Sequence, residues 1–296
     1  MAYPLEAVPN FSEGRDRSAI DAIGAALSER ARLLDVHVDV DHNRSVFTLG
    51  GQEEELVEAL VAGVAVARER IDLRRHEGAH PRVGAADVVP LVAVRAEDVE
   101  RARTAALELA RRVGEELELP VFLYGEVGAG RGPVFFRSGG PAELQRRIDA
   151  GELSPDFGPS RLGPSAGAVL VGARRPLIAF NVNLQTDDLE AARQIAAVVR
   201  ETGGGFPGVR ALGFALPSRG IVQVSMNVED PERVGLHEVV ARVRAEAAER
   251  GVETAGSELV GLLPAAVAAA ASRSALGLDD LDASRLLELR LLDAGA

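Results

Sequence analysis

Residues 32–51 read RLLDVHVDVDHNRSVFTLGG. From 32 to 40 apolar and polar side chains alternate, as they do in a half-buried strand, and a second β-forming run starts at Arg44. The polar triplet Asp41, His42, Asn43 between them has the composition of a turn, so the stretch predicts a β-hairpin. What flanks it decides the fold. Upstream, LEAVPNF (5–11) reads as a short strand before a helical pattern near 15–30. Downstream, Leu56, Leu60, Val64 and Ala67 recur at helical spacing through 53–70, and DVVPLVAV (87–94) returns to strand. Pro90 marks that strand as an edge or the site of a bulge, because proline donates no ladder hydrogen bond. The order is β-α-β-β-α-β, a split βαβ of ferredoxin-like type.

A helix over 96–118 and the strand PVFLYGE (120–126) extend this first half. Residues 126–168 are rich in Gly, Pro and Ser, with one short helix near 141–151. The alternation then resumes. AVLVGARRPLIAFNVNL (168–184) is extended, 187–202 is helical, and VRALGFALP (209–217) with GIVQVSMNVED (220–230) forms a hairpin. A helix over 231–250, an extended ETAGSELVG (253–261) and alanine-rich helical material to the end complete the pattern. The expected class is therefore α+β, two ferredoxin-like βαββαβ subdomains whose sheets carry helices on one face. The boundary falls near 174–176, giving residues 1–174 and 175–296.

With 47% hydrophobic and 26% charged residues, the chain has the composition of an ordinary globular protein. Its longest charge-free apolar run, 259–272, is too short to span a bilayer. No basic-then-apolar leader pattern opens it, so a cytoplasmic location without membrane association is expected. A net charge of −12 argues against nucleic acid as a partner. Cysteine is absent, which removes thiolate nucleophiles and Cys-ligated metals. Lysine is absent too, all 33 basic residues being arginine, and this excludes Schiff-base chemistry and a P-loop.

Proton transfer thus falls to five histidines and the carboxylates. Four of the five, His37, His42, His76 and His80, lie within 44 residues. HEGAH (76–80) satisfies the HExxH zinc signature, which works only on a helix. Pro81 would clash with the Glu77 carbonyl there, and Gly78 weakens a helix further, so a loop without bound metal is expected. Held before a proline, His80 is placed to act as a general acid–base, or to serve as a structural loop histidine. In a strand, His37, Asp39 and Asp41 share one face with Arg44 after the turn. That set could hold a metal, orient a catalytic group or be a solvated sheet face. DFGPSRLGPSAGA (156–168) lets backbone pass close to a ligand, with Arg161 able to face a carboxylate, or is simply a linker.

Taken in order, VPNFSEGRD (8–16), LLDVHVDVDHNRSVFTLGG (33–51), RRHEGAHPRVGAADVVPLVAV (74–94), PVFLYGE, PDFGPSRLGPSAGAVLVGARRPLIAFNVNL (155–184) and GSELVGLLP (256–264) resemble the formiminotransferase domain family. The resemblance covers about residues 5 to 265. It implies two subdomains and transfer of the formimino group of N-formimino-L-glutamate to N5 of tetrahydrofolate, the co-substrate, in histidine breakdown. It also implies His80 as the acid–base group. The folate segment it implies is Gly158, Pro159, Ser160, Arg161, Leu162, Gly163, Pro164, Ser165, Ala166 and Gly167. Asp39, Arg44 and Arg82 are the candidates for holding the substrate. Ala166 stands where members carry an aromatic residue, and His37 where some carry Asp. A folate-dependent formyltransferase and a non-catalytic folate-binding protein remain alternatives. The helical cyclodeaminase domain of bifunctional members is not expected here, so a separately encoded cyclodeaminase is a candidate partner. A homodimer is expected because two-fold dimers are the commonest assembly.

Overall fold

The computed structural model describes residues 3–277, 281–287 and 289. The last part of the expected helical tail, 290–296, lies outside them. The chain divides into two compact units, Met1–Pro176 and Leu177–Ala296.

In the first unit the elements run β1 (Leu5–Ala7), β2 (Asn10–Phe11), α1 (Arg17–Ser28), β3 (Arg32–Asp39), β4 (Arg44–Gly51), α2 (Glu53–Arg70), β5 (Ala86–Val92), α3 (Val99–Glu116), β6 (Val121–Gly125), α4 (Pro133–Arg137), α5 (Gly140–Asp149) and β7 (Val169–Arg174). β1 and β2 are one path broken at Val8–Pro9, and both pair antiparallel with β4 on one side and β5 on the other. With β3 outside β4, this gives the ferredoxin-like order β3, β4, β1/β2, β5. β7 and β6 extend it, β7 lying parallel to both neighbours.

Local chemistry sets the helix ends. Asp16 caps α1 by accepting from the Ser18 and Ala19 amides. α2 starts with Glu53, Glu54 and Glu55 and ends near Arg68 and Arg70, charges that complement the helix dipole. α1, α2 and α3 bury Ile23, Leu27, Leu60, Leu109 and Val113 against sheet residues Phe47, Leu49, Val89 and Val171. α4 and α5 cover the opposite face at the far end, where Phe136, Leu144 and Ile148 pack on Val88, Phe122 and Leu170.

The second unit runs β8 (Ile178–Leu184), α6 (Leu189–Val199), β9 (Val209–Leu216), β10 (Ile221–Val228), α7 (Leu236–Glu249), β11 (Thr254–Val260) and α8 (Ala265–Leu276). Its sheet order, β11, β8, β10, β9, is again ferredoxin-like and antiparallel throughout. No helix among the described residues is long and apolar enough to cross a membrane.

Four details differ from the sequence reading. α4 and α5 cover the second face of the first sheet, where helices were expected on one face alone. The single extended stretch over 168–184 is two strands of different sheets, β7 and β8, separated around Pro176. Of the two readings of Pro90 the edge fails, since β5 is paired on both sides, while the β2–β5 ladder does carry a register irregularity at Val88 and Ala86. The missing N–H of Pro90 falls opposite the break at Val8–Pro9, and its carbonyl accepts from the Val8 amide. Within the Gly- and Pro-rich stretch, Pro133–Arg137 forms a helix that was read as loop.

Candidate functional site

Five segments of the first unit meet around His80: residues 8–16, the β3–β4 turn, the loop 72–85, the end of α4, and the loop 158–168. The turn is built by its own polar residues. Asp39 Oδ1 accepts from the Asp41 and His42 amides at 2.8 and 2.7 Å, which closes the chain on itself. Asn43 then takes a left-handed conformation, φ 47°, which asparagine tolerates better than most residues. Its side chain ties neighbouring segments together. Oδ1 accepts from Gly14 N at 2.8 Å and Nδ2 donates to the Glu77 carbonyl at 2.9 Å. A Cβ on Gly14 would overlap the Asp39 carbonyl, so only glycine lets residues 12–15 lie this close.

Residues 76–80 carry no helix. After a 3-10 turn at Leu73–Arg75, capped by Asp72, the chain runs irregularly to Pro81. Arg82 wraps this loop. Its Nη2 donates to the carbonyls of Gly78, at 2.8 Å, and His80, and its Nη1 donates to His76 Nδ1 at 2.5 Å. His76 Nε2 lies 2.9 Å from the Asn43 carbonyl, which can only accept. His76 is therefore the neutral Nε2–H tautomer, with both ring nitrogens committed. Burial, followed by the Arg82 charge, holds its pKa below the ordinary value near 6.5.

His80 is half-buried and points elsewhere. Its Nε2 accepts from Arg44 Nη1 at 2.5 Å, and its ring meets His42 edge-on with centroids 6.1 Å apart. Burial, then the charges of Arg44, Arg137 and His42, push its pKa well below 6.5, outweighing a hydrogen bond to the Pro81 backbone. It is neutral at pH 7. Arg44 is itself pushed down to about 9, by burial and then by Arg137, against the pull of Asp87 and Asp39. Arg137, on α4, donates through Nη2 to Asp87 Oδ2 at 2.5 Å, and Asp87 Oδ1 accepts from Val83 N at 2.8 Å. A neutral imidazole thus faces two arginines, Arg44 and Arg137, with Asp87 as their counter-charge, while Arg82 holds the loop through its carbonyls. That arrangement can accept a proton and attract an anion.

The loop 158–168 is stitched to the His80 loop on both sides. Ala85 N donates to the Ala166 carbonyl at 2.8 Å, Ala168 N to the Val83 carbonyl at 2.9 Å, and Leu73 N to the Ser165 carbonyl at 2.9 Å. Gly84 and Gly167 face one another in an isolated bridge, and a Cβ on Gly84 would overlap the Ala168 carbonyl. Gly158, Pro159, Ser160, Arg161 and Pro164 are exposed, while Ala166 is buried in the main core.

The Formiminotransferase domain, N-terminal subdomain, matches residues 4–174, and the Formiminotransferase domain matches 179–279. The chain belongs to the formiminotransferase family. A glutamate formimidoyltransferase from Streptococcus pyogenes serotype M1 is 38% identical, over 99% of this chain and 100% of its own length. One from Thermoplasma acidophilum is also 38% identical, over 97% of each chain. A formimidoyltransferase-cyclodeaminase from Rattus norvegicus is 41% identical over 89% of this chain and 51% of its own length. The site around His80 lies wholly within the N-terminal match.

Of the residues singled out from sequence, the structure brings His80, Arg44, Arg82 and the end of the 158–167 segment together. Asp39 is committed to the turn through Oδ1, and His37 stands two positions before it on β3. The sequence reading missed Asn43, Asp87 and Arg137. Asp87 was visible as the lone carboxylate opening an otherwise apolar strand, which is a signal for a buried partner. Arg137 offered no such signal.

Proposed function

We propose that this chain transfers the formimino group of N-formimino-L-glutamate to N5 of tetrahydrofolate, with His80 as general acid–base. The observation that carries the reading is the state of His80: a neutral imidazole, its Nε2 acting as an acceptor, with guanidinium groups rather than carboxylates around it.

The chemistry follows from that state. N5 of tetrahydrofolate attacks the carbon of the formimino group in its protonated amidinium form. A C–N bond forms, the C=N π pair moves onto the imino nitrogen, from which it returns when the glutamate nitrogen departs, and N5 is left positively charged. His80 takes the N5 proton. The imidazolium then gives the same proton to the glutamate nitrogen as its bond to carbon breaks, releasing L-glutamate and 5-formiminotetrahydrofolate. Proton and charge balance without a covalent enzyme intermediate, which suits a chain without Cys or Lys. A depressed pKa makes the imidazolium a ready donor to the departing amine. Arg44 and its neighbours hold substrate carboxylate, and close positioning supplies much of the rate. The exposed turn Gly158–Pro164, ahead of the stitched Ser165–Gly167, is the seat assigned to the folate. Asp39 and Arg82 act through the loops they organise. A homodimer is the proposed assembly, and a cyclodeaminase is the proposed consumer of the product.

The test compares N-formimino-L-glutamate with N-formyl-L-glutamate as donors to tetrahydrofolate. Preferential formimino transfer supports the reading. Preference for the formyl donor would replace it with a formyltransferase, and tight tetrahydrofolate binding with turnover of neither donor would replace it with a binding protein.

A further inference from the structure

Arg44 and Arg137 flank His80 in an unbalanced way. Asp87 has both carboxylate oxygens engaged, one by Arg137 and one by the Val83 amide, and its side chain is only 4% exposed. Arg44 gives its Nη1 to a neutral imidazole and has no ion pair among the described residues. The Nε–H groups of Arg44 and Arg137 are buried with no acceptor among those residues. Two buried guanidinium N–H groups without acceptors, one of them on a cation without a carboxylate partner, leave an unmet demand for an anion beside His80.

The same geometry poses a problem for His80. The lone pair that must take the reaction's proton is occupied by Arg44 Nη1–H. A guanidinium exchanges an imidazole for a carboxylate readily, because the carboxylate is charged and matches its planar fork. We propose that Arg44 and Arg137 form the seat for one carboxylate of the amino-acid substrate, and that filling this seat draws Arg44 off His80 Nε2, freeing that nitrogen for the proton.

The inference rests on His80 serving as the acid–base group, and it adds Arg137 as a positioning residue. The charged and titratable groups facing His80 are Arg44 from β4, Arg137 from α4 and His42 from the turn, while Asp87 from β5 acts on Arg44, Arg82 and Arg137. One bound carboxylate offsets a positive charge that disfavours protonated His80. Substrate binding and base strength are then linked, and the link is reciprocal. An empty site keeps its base masked.

The experiment follows the His80 imidazole by NMR across a pH titration, with His80→Gln assigning the resonance and L-glutamate as the probe. In the parent protein, saturating L-glutamate should raise the proton affinity of His80 by about tenfold or more. In Arg44→Gln the free protein should already show the raised affinity, and L-glutamate should change it little. The paired change Arg137→Gln with Asp87→Asn avoids leaving a buried carboxylate unpaired, and should weaken L-glutamate binding by about tenfold or more. An Arg44→Gln protein whose His80 titrates as in the parent overturns the coupling. Parental L-glutamate affinity in the paired variant overturns the role of Arg137. If L-glutamate leaves His80 unmoved in a protein that performs the transfer, this inference falls and the transferase reading stands. Loss of both L-glutamate binding and transfer in the parent would remove both.

Discussion

The Asn43 carbonyl accepts a hydrogen bond from His76 Nε2 at 2.9 Å, while the Asn43 side chain spans from Gly14 N to the Glu77 carbonyl. One turn residue therefore fixes the start of the His80 loop. Replacing Asn43 with Gly keeps the left-handed backbone but removes both side-chain bonds, at a cost of about 2–3 kcal/mol. Asn43→Ala adds backbone strain of about another 1 kcal/mol. Urea unfolding of the two variants measures both terms, and equal stability would show that the φ of 47° is not maintained.

His76 has no lone pair available for a metal, because Arg82 Nη1 occupies Nδ1 and Nε2 carries the proton. His80 faces Arg44 instead. No zinc should be bound at His76 and His80, and transfer should survive exhaustive chelation. Zinc that is lost together with activity in His80→Ala would overturn this account of the HEGAH stretch.

Arg82 makes three contacts through a planar fork, two of them to carbonyls of the loop it closes. Lysine supplies a charge but not the fork. Arg82→Lys should remain folded and lose about tenfold to a hundredfold in kcat through misplacement of His80. A change confined to KM would point to direct substrate binding by Arg82.

Both His76 and His80 have folded-state pKa values below 6.5. Below that pH the unfolded chain binds protons that the folded chain refuses. Their contribution is thus fully present above about pH 6.5 and is lost as pH falls toward the depressed folded values. The urea midpoint of the parent should fall between pH 7 and pH 5, and His80→Gln should show a shallower fall. An equal slope in the variant would mean that His80 titrates normally when folded.

Gly84 touches the Ala168 carbonyl, where a Cβ has no room. Gly84→Ala should push residues 165–168 away from the His80 loop, raising KM for tetrahydrofolate more than KM for the formimino donor. Equal effects on both would separate the 158–167 segment from the folate seat.

Much of this arrangement could be read from the sequence, because local chemistry determines it. The 32–51 hairpin, the capped helices and the repeated βαββαβ order follow from periodicity and turn residues. His80 was visible because Pro81 forbids a helix there. What stayed hidden is long-range. The insertion of β7 between β5 and β6 depends on pairing across tens of residues, and an apolar run suits either sheet. Arg137 lay in a stretch whose Gly and Pro content suggests loop, and its importance comes from Asp87, fifty positions away. Asn43 looked like ordinary turn material, since nothing local shows what its side chain reaches. Asp39 was legible as a site carboxylate, yet its Oδ1 serves the turn.

The central claim is that His80 carries the proton during transfer. It is tested most directly by steady-state formimino transfer from N-formimino-L-glutamate to tetrahydrofolate in His80→Ala, with circular dichroism confirming that the fold is kept. The account predicts a turnover lower by about two orders of magnitude or more. Near-parental turnover in a folded His80→Ala protein would contradict it.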